Sequence, residues 1–195
     1  MLIALFILVT ALTATIVLMV TSINASRESR NKLIATNLSR EGLEAVRNLR
    51  DSNWLDPAVV SWDDGLTNVL DNLDNTAIPI INSTKALSLD FSVDNIVTDS
   101  DARVFLGGND YLQGNGLSGS ALATQFYRII YLNPICRRET DGDEKIVAKA
   151  VRASCDSFDE NYTQVGLRVI SEVHWPSPNK RNVILEERLY DWQVL

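Results

Sequence analysis

Residues 1–54 read MLIALFILVTALTATIVLMVTSINASRESRNKLIATNLSREGLEAVRNLRDSNW, and this stretch decides the fold. Its first 26 residues carry no charged side chain, so the chain's 18 basic and 25 acidic groups all fall in residues 27–195. Among residues 1–23, eighteen are apolar, five are Thr or Ser, and there is no Gly or Pro. At 1.5 Å per residue a helix of this length spans about 35 Å, enough to cross a hydrocarbon core of roughly 30 Å. Thr10, Thr13, Thr15 and Thr21 are tolerable there, because a hydroxyl can bond back to the carbonyl one turn earlier. A cleaved secretory signal would need a basic n-region, a shorter apolar core and a small-x-small cleavage site. A buried core helix is the other competitor, and 26 charge-free residues are long for one. The expectation is a transmembrane helix over residues 1–25.

The pattern then changes without a break. Residues 26–53 contain no proline and one glycine, Gly42, with apolar residues at Leu33, Ile34, Leu38, Leu43, Ala45, Val46 and Leu49. That spacing predicts an amphipathic continuation of the same helix, ended by Asp51, Ser52, Asn53 and Pro57. Such a helix would measure roughly 78 Å. A single greasy stripe must be covered, so a globular head should pack on it through Leu38, Leu43, Val46, Leu49 and Trp54. Residues 27–50 carry six basic and three acidic groups, a collar that suits anionic head groups and equally suits a solvated helix face.

The rest of the chain reads as a variable region (54–125) and an antiparallel sheet (126–195). SWDDGLTNVLDNLDN, 61–75, reads as a short helix, and GGNDYLQGNGLSG, 107–119, as a loop. Lys85–Asp94 alternates Leu87, Leu89, Phe91 and Val93 against Ser88, Asp90, Ser92 and Asp94, a half-buried strand. Phe126–Leu132 and Ile146–Val151 are further strands. Val165–Trp175 puts Val165, Leu167, Val169, Val173 and Trp175 inward; after the turn 176–182, Val183–Trp192 returns as its hairpin partner. The fold class expected is α+β, one long N-terminal helix on a C-terminal antiparallel sheet. Cys136 and Cys155 flank the 146–151 strand, so they either form one disulfide or remain two thiols. A bond would close a loop of about 20 residues and stabilise by roughly 3 kcal/mol.

Little in the composition points to chemistry. A net charge of −7 argues against nucleic acid, and two cysteines with one histidine are too few for a zinc site of the usual kind. His174 faces away from the core of its strand with no nucleophile beside it in sequence. Asp141-Gly142-Asp143-Glu144 has the oxygens for calcium but is too short for an EF-hand loop, and reads as an exposed turn; Asp94, Asp99 and Asp101 read likewise. Asn82-Ser83-Thr84 and Asn161-Tyr162-Thr163 match a glycosylation pattern that arises often by chance. No enzyme, cofactor or metal is expected.

An apolar helix running into an amphipathic stalk and then an antiparallel head resembles the type IV pilin family, which includes minor pilins and the pseudopilins of type II secretion. Met1–Leu8, MLIALFIL, is similar to the body of that family's N-terminal motif. Residues 38–55, LSREGLEAVRNLRDSNWL, resemble the stalk of minor pilins of the PilV-like type, and Leu189–Trp192 resembles their last strand. The family's leader, processing glycine and Phe-x-x-x-Glu are not in this sequence. On this alignment the glutamate would lie immediately before Met1, so an in-frame Gly-Phe-x-x-x-Glu preceded by Lys or Arg is expected just upstream in the gene.

The resemblance implies a subunit that assembles through Leu2, Ile3, Leu5, Phe6, Leu8, Leu12, Ile16 and Leu18. It implies as partners other pilin or pseudopilin subunits, an inner-membrane assembly platform, a prepilin peptidase acting on the precursor, and membrane lipid. Arg27, Arg30 and Lys32, taken alone, vote for a cytoplasmic head. A basic leader would reverse that vote, and the cysteine pair and the resemblance favour an extracytoplasmic head. The alternative is a single-span anchored binding or sensor domain that never polymerises; a membrane-tethered hydrolase is a third, and needs Asp or Glu pairs gathered in a cleft.

Overall fold

In the computed structural model, residues 1–59, 61–67, 75–81, 86–93, 95–108, 110–114, 121–147, 155, 158, 161–177 and 181–191 are described. They form one helix, α1 (Leu2–Leu55), and eight strands. The strands are β1 (Thr76–Ile81), β2 (Leu87–Asp90), β3 (Arg103–Gly107), β4 (Asp110–Leu112), β5 (Leu122–Arg138), β6 (Glu144–Ile146), β7 (Tyr162–His174) and β8 (Asn182–Tyr190). The chain divides into two compact units, Met1–Ile34 and Ala35–Leu195, and α1 belongs to both. Proline is absent from α1, which stops where Pro57 can supply neither an amide hydrogen nor a compatible ring position.

The first unit is helix alone. Its threonines behave as apolar residues: Thr10, Thr13, Thr15 and Thr21 each donate to a carbonyl three or four residues back. Among the described residues, α1 is the one helix long and apolar enough to span a membrane.

The second unit is an α+β arrangement in which the later part of α1 lies on an antiparallel sheet. β5 is its spine. Along one edge β5 pairs in succession with β3, β1 and β6; along the other it pairs with β7 over most of its length, and β8 follows β7. β2 extends β1, and β4 extends β3. The face toward α1 is built by Arg128, Ile130 and Leu132 of β5, by Leu167, Val169, Ser171 and Val173 of β7, and by Leu189 of β8, all buried. Leu43 and Val46 of α1, Ala77 of β1 and Leu66 close this core, with Leu49 and Trp62 at its margin. On the opposite face Ile78, Val93, Ala102 and Ile129 form a second cluster, tied by the Thr76 hydroxyl donating to the Val93 carbonyl at 2.6 Å. A third cluster surrounds the Cys136–Cys155 disulfide with Val147 and Tyr162, so the pair is bonded.

Several details depart from the sequence expectation. Four strands precede residue 122, where one is expected. β1 contains Pro79, and β4 falls inside the glycine-rich 107–119 stretch. β2 covers only Leu87–Asp90, all half-buried, although Val93 is buried and Ser92 exposed as the alternation requires. Residues 61–67 are turns rather than the start of a helix, and 68–74 lie outside the described residues. The turn is held by Asn53, whose side-chain amide donates to the carbonyls of Trp62 and Asp64. β5 runs six residues beyond Leu132, through Pro134. Even-numbered residues here aim their backbone away from β7: Arg128 N bonds Ala102 O, Leu132 N bonds Asn75 O, and Val147 N bonds Pro134 O. The ring therefore removes no bond from the β5–β7 ladder. β6 is Glu144–Ile146, and 148–151 of that expected strand lie outside the described residues, as do Lys85, Asp94, Trp192 and the 82–84 glycosylation pattern.

The tightest approach of helix to sheet is at Gly42. A Cβ there would stand 2.5 Å from Ser171 Oγ and 3.3 Å from Ser171 Cβ. One turn earlier the Ser39 hydroxyl donates to the Ser171 carbonyl at 2.8 Å. Overpacking of this kind costs about 1–3 kcal/mol, which exceeds the roughly 1 kcal/mol that Ala gains over Gly in a helix. Gly42→Ala is expected to lower the unfolding free energy in denaturant titration by about 1 kcal/mol net. Adding Ser171→Ala should recover more than half of that loss; a Gly42→Ala chain as stable as the parent would contradict the close approach.

Candidate functional site

The surface that sets this chain apart is the first unit of α1. Leu2, Ile3, Leu5, Phe6, Leu8, Leu12, Ile16 and Leu18 are all exposed, each with more than half of its surface open. Such an array of large apolar side chains is far beyond what a soluble surface carries, and it requires an apolar environment or a partner. Its threonine hydroxyls are already satisfied along the helix, so contacts made there by residues 2–21 are those of shape and dispersion rather than of polar pairing.

The stalk residues sit differently. Leu38, Leu43 and Val46 are buried, Leu49 is half-buried at the core margin, and Trp54 is half-buried with the Arg50 guanidinium 4.6 Å above its ring. Sequence reasoning missed the polar centre of this seam. Arg128, on β5 between Phe126 and Ile130, is only 1% exposed. Its Nη1 donates to the Leu38 carbonyl at 3.0 Å and lies 3.5 Å from a Glu41 carboxylate oxygen, while its Nε donates to Gln113 Oε1 at 2.6 Å. Gln113 in turn donates to the carbonyls of Ala102 and Arg128. Burial pushes the Arg128 guanidinium below its ordinary pKa, and Glu41 opposes this. A buried cation is tolerated only when its donors are taken up, and here one side chain joins α1, β5 and the segment after β4. The signal was present: Phe126, Arg128, Ile130 and Leu132 share one face of an alternating strand.

A second brace lies nearer the end of α1. Arg47 bridges Glu44 and Glu187 of β8 at 2.5 Å each, and these bonds, the Glu187 one foremost, raise its pKa.

The remaining candidate groups are engaged elsewhere. In the 141–144 turn, Asp141 and Asp143 meet Arg138, Glu144 meets Arg137, and Tyr162 Oη donates to Asp143. These carboxylates therefore face cations of their own hairpin, with Gly142 at φ +74° closing the turn. Asp99 caps its own turn by accepting from the Asp101 amide. His174 is half-buried, opposite Tyr127 and Asn182 in register. Asn161 is exposed in the turn that precedes β7. Among the described residues no three His, Cys, Asp or Glu side chains stand together to hold a metal. Among the described residues, two hollows are lined by the second part of α1. One, of about 480 Å³, is lined by Asn53, Trp54, Asp56, Ser61, Trp62 and Asp191 among others. The other is a groove of about 260 Å³ with Glu41 and Glu44 on its rim, Pro79, Ile81 and Leu87 on its wall, and Arg128 at its base.

No protein-family model, no curated protein and no solved structure matches this chain. Its architecture, a long apolar N-terminal helix with an antiparallel sheet, is pilin-like.

Removing Arg128 strips a donor from the Leu38 carbonyl and leaves a hole among α1, β5 and Gln113. Arg128→Ala is expected to cost about 3–5 kcal/mol in equilibrium unfolding, the range for breaking a buried charged network. Glu41→Ala should cost under about 1 kcal/mol, because the Glu41 side chain is 51% exposed and the pair is partly solvated. Equal losses for the two would show that the ion pair, and not the carbonyl and amide bonds, holds Arg128.

Proposed function

We propose that this chain is a structural subunit of a pilin-like filament, a minor pilin or a pseudopilin, which assembles through its N-terminal helix. The observation that carries the reading is the combination within α1: a first stretch with every large apolar side chain exposed, and a second stretch bound by a sheet. The first stretch is inserted in a bilayer before assembly. On assembly, Leu2–Leu18 exchange lipid contacts for contacts with the same stretch of neighbouring subunits, so apolar burial changes little and fit between helices decides the outcome. The partners under this reading are other pilin or pseudopilin subunits, an inner-membrane platform, and a prepilin peptidase acting on the precursor. The head lies outside the cytoplasm, where a disulfide such as Cys136–Cys155 persists. The net charge of −10 on residues 51–195 favours neighbours with basic faces.

Both native cysteines are bonded, so introduced cysteines are the free thiols. A chain carrying Leu5→Cys together with Ile16→Cys, oxidised in membranes of expressing cells, is expected to give a ladder from dimers to high oligomers on non-reducing gels. A band confined to the monomer would show a solitary anchor, and the filament reading would fall.

A further inference from the structure

We infer that the groove between α1 and β1–β2 receives the basic-apolar stretch Arg27–Leu33 of a second copy of this chain; the inference rests on the filament reading. The groove is apolar on its wall, through Pro79, Ile81 and Leu87, and Ile81 is 57% exposed. Its rim carries two carboxylates on one helix face, Glu41 and Glu44, with side chains 51% and 62% exposed. Among the described residues that line it, the one cation is Arg128, buried at its base, bonded to Leu38 and Gln113 and 3.5 Å from Glu41. The rim therefore offers two exposed carboxylates, each shared with an arginine of its own chain, beside a greasy slot.

A complementary surface exists on the same chain. Arg27 and Arg30 are exposed, three residues apart, as Glu41 and Glu44 are. Neither has an ion pair among the described residues. One step further along the helix, Leu33 is 63% exposed, a large apolar side chain just past the charge-free stretch. Two helix faces whose charges share an i, i+3 spacing can meet pairwise, Arg27 with Glu41 and Arg30 with Glu44, while Leu33 reaches the slot lined by Ile81 and Leu87. Glu44 also holds Arg47, but that pair is exposed, and such pairs exchange partners at little cost. Repeated from copy to copy, the contact is head-to-tail: each subunit offers a basic segment to one neighbour and an acidic groove to another. An interface of that kind does not close on itself and so propagates. The apolar helix supplies adhesion without direction; this contact supplies register.

The test mixes two differently tagged copies in the same membrane, one with Leu33→Cys and the other with Ile81→Cys, and measures disulfide-linked heterodimer after mild oxidation. A clear heterodimer band is expected. Arg27→Glu with Arg30→Glu in the first copy should lower its yield about tenfold, the effect of roughly 1.4 kcal/mol from two exposed pairs. Glu41→Lys with Glu44→Lys in the second copy should restore it. Because Glu41 touches Arg128, Glu44→Lys against Arg30→Glu alone is run beside it and should show the same loss and rescue on a smaller scale. No heterodimer, or a yield indifferent to the charge reversals, overturns the inference. So does a result in which Arg27→Glu with Arg30→Glu changes only the sedimentation of the protein with phosphatidylglycerol vesicles, because the collar then serves lipid. A ladder through Leu5→Cys and Ile16→Cys without this heterodimer sinks the groove contact alone; absence of both sinks the filament reading with it.

Discussion

The second unit depends on the helix coming close enough to the sheet for Ser39 to reach the Ser171 carbonyl. Only a residue without a Cβ permits that at position 42, and the distance it sets puts the Leu38 carbonyl within reach of Arg128. The three contacts are interlocked. The glycine brings the backbones together, the serine fixes the register of α1 along β7, and the arginine draws the segment after β4 into the same network through Gln113. Around this polar centre the apolar packing of Leu43, Val46, Ile130, Leu132, Leu167 and Val169 supplies most of the stabilisation, because dispersion and burial scale with area while the hydrogen bonds chiefly select one geometry.

Much of this was legible because period and composition agree. The charge-free opening reads as a long apolar helix, the stripe at Leu38, Leu43, Val46 and Leu49 as its covered face, and the alternation from Val165 to Trp175 as a strand, and the structure has all three elements. The β7–β8 hairpin follows from the turn residues between two alternating runs. Where the reading failed, a local rule was overridden by pairing partners. β1 contains Pro79, and β5 runs through Pro134 beyond the strand expected over Phe126–Leu132; for Pro134 the reason is that its nitrogen faces away from the β7 ladder. β3 and β4 are too short to show a period, and they are strands because β5 supplies an edge to pair with. Leu66 signalled a helix through its apolar spacing but is buried from a turn, pinned by Asn53. Arg128 is a charge within an apolar strand, and the alternation of β5 places it inward.

The filament reading proposed above rests on surfaces of α1. In the 141–144 turn, Asp141, Asp143 and Glu144 are met by Arg137, Arg138 and Lys145. Within the first unit, the hydroxyls of Thr10, Thr13, Thr15 and Thr21 are spent along the helix. On the proposed reading, the exposed apolar side chains of the first unit are the surface that assembly would use.

The central claim is that residues 35–49 of α1 belong energetically to the sheet. Native-state amide hydrogen exchange on the full chain in detergent micelles, read residue by residue, tests it most directly. The account predicts that amides of residues 38–46 open with the same free energy as those of β5 and β7, in one cooperative step. Residues 38–46 exchanging many-fold faster than a still-protected β5–β7 ladder would contradict it.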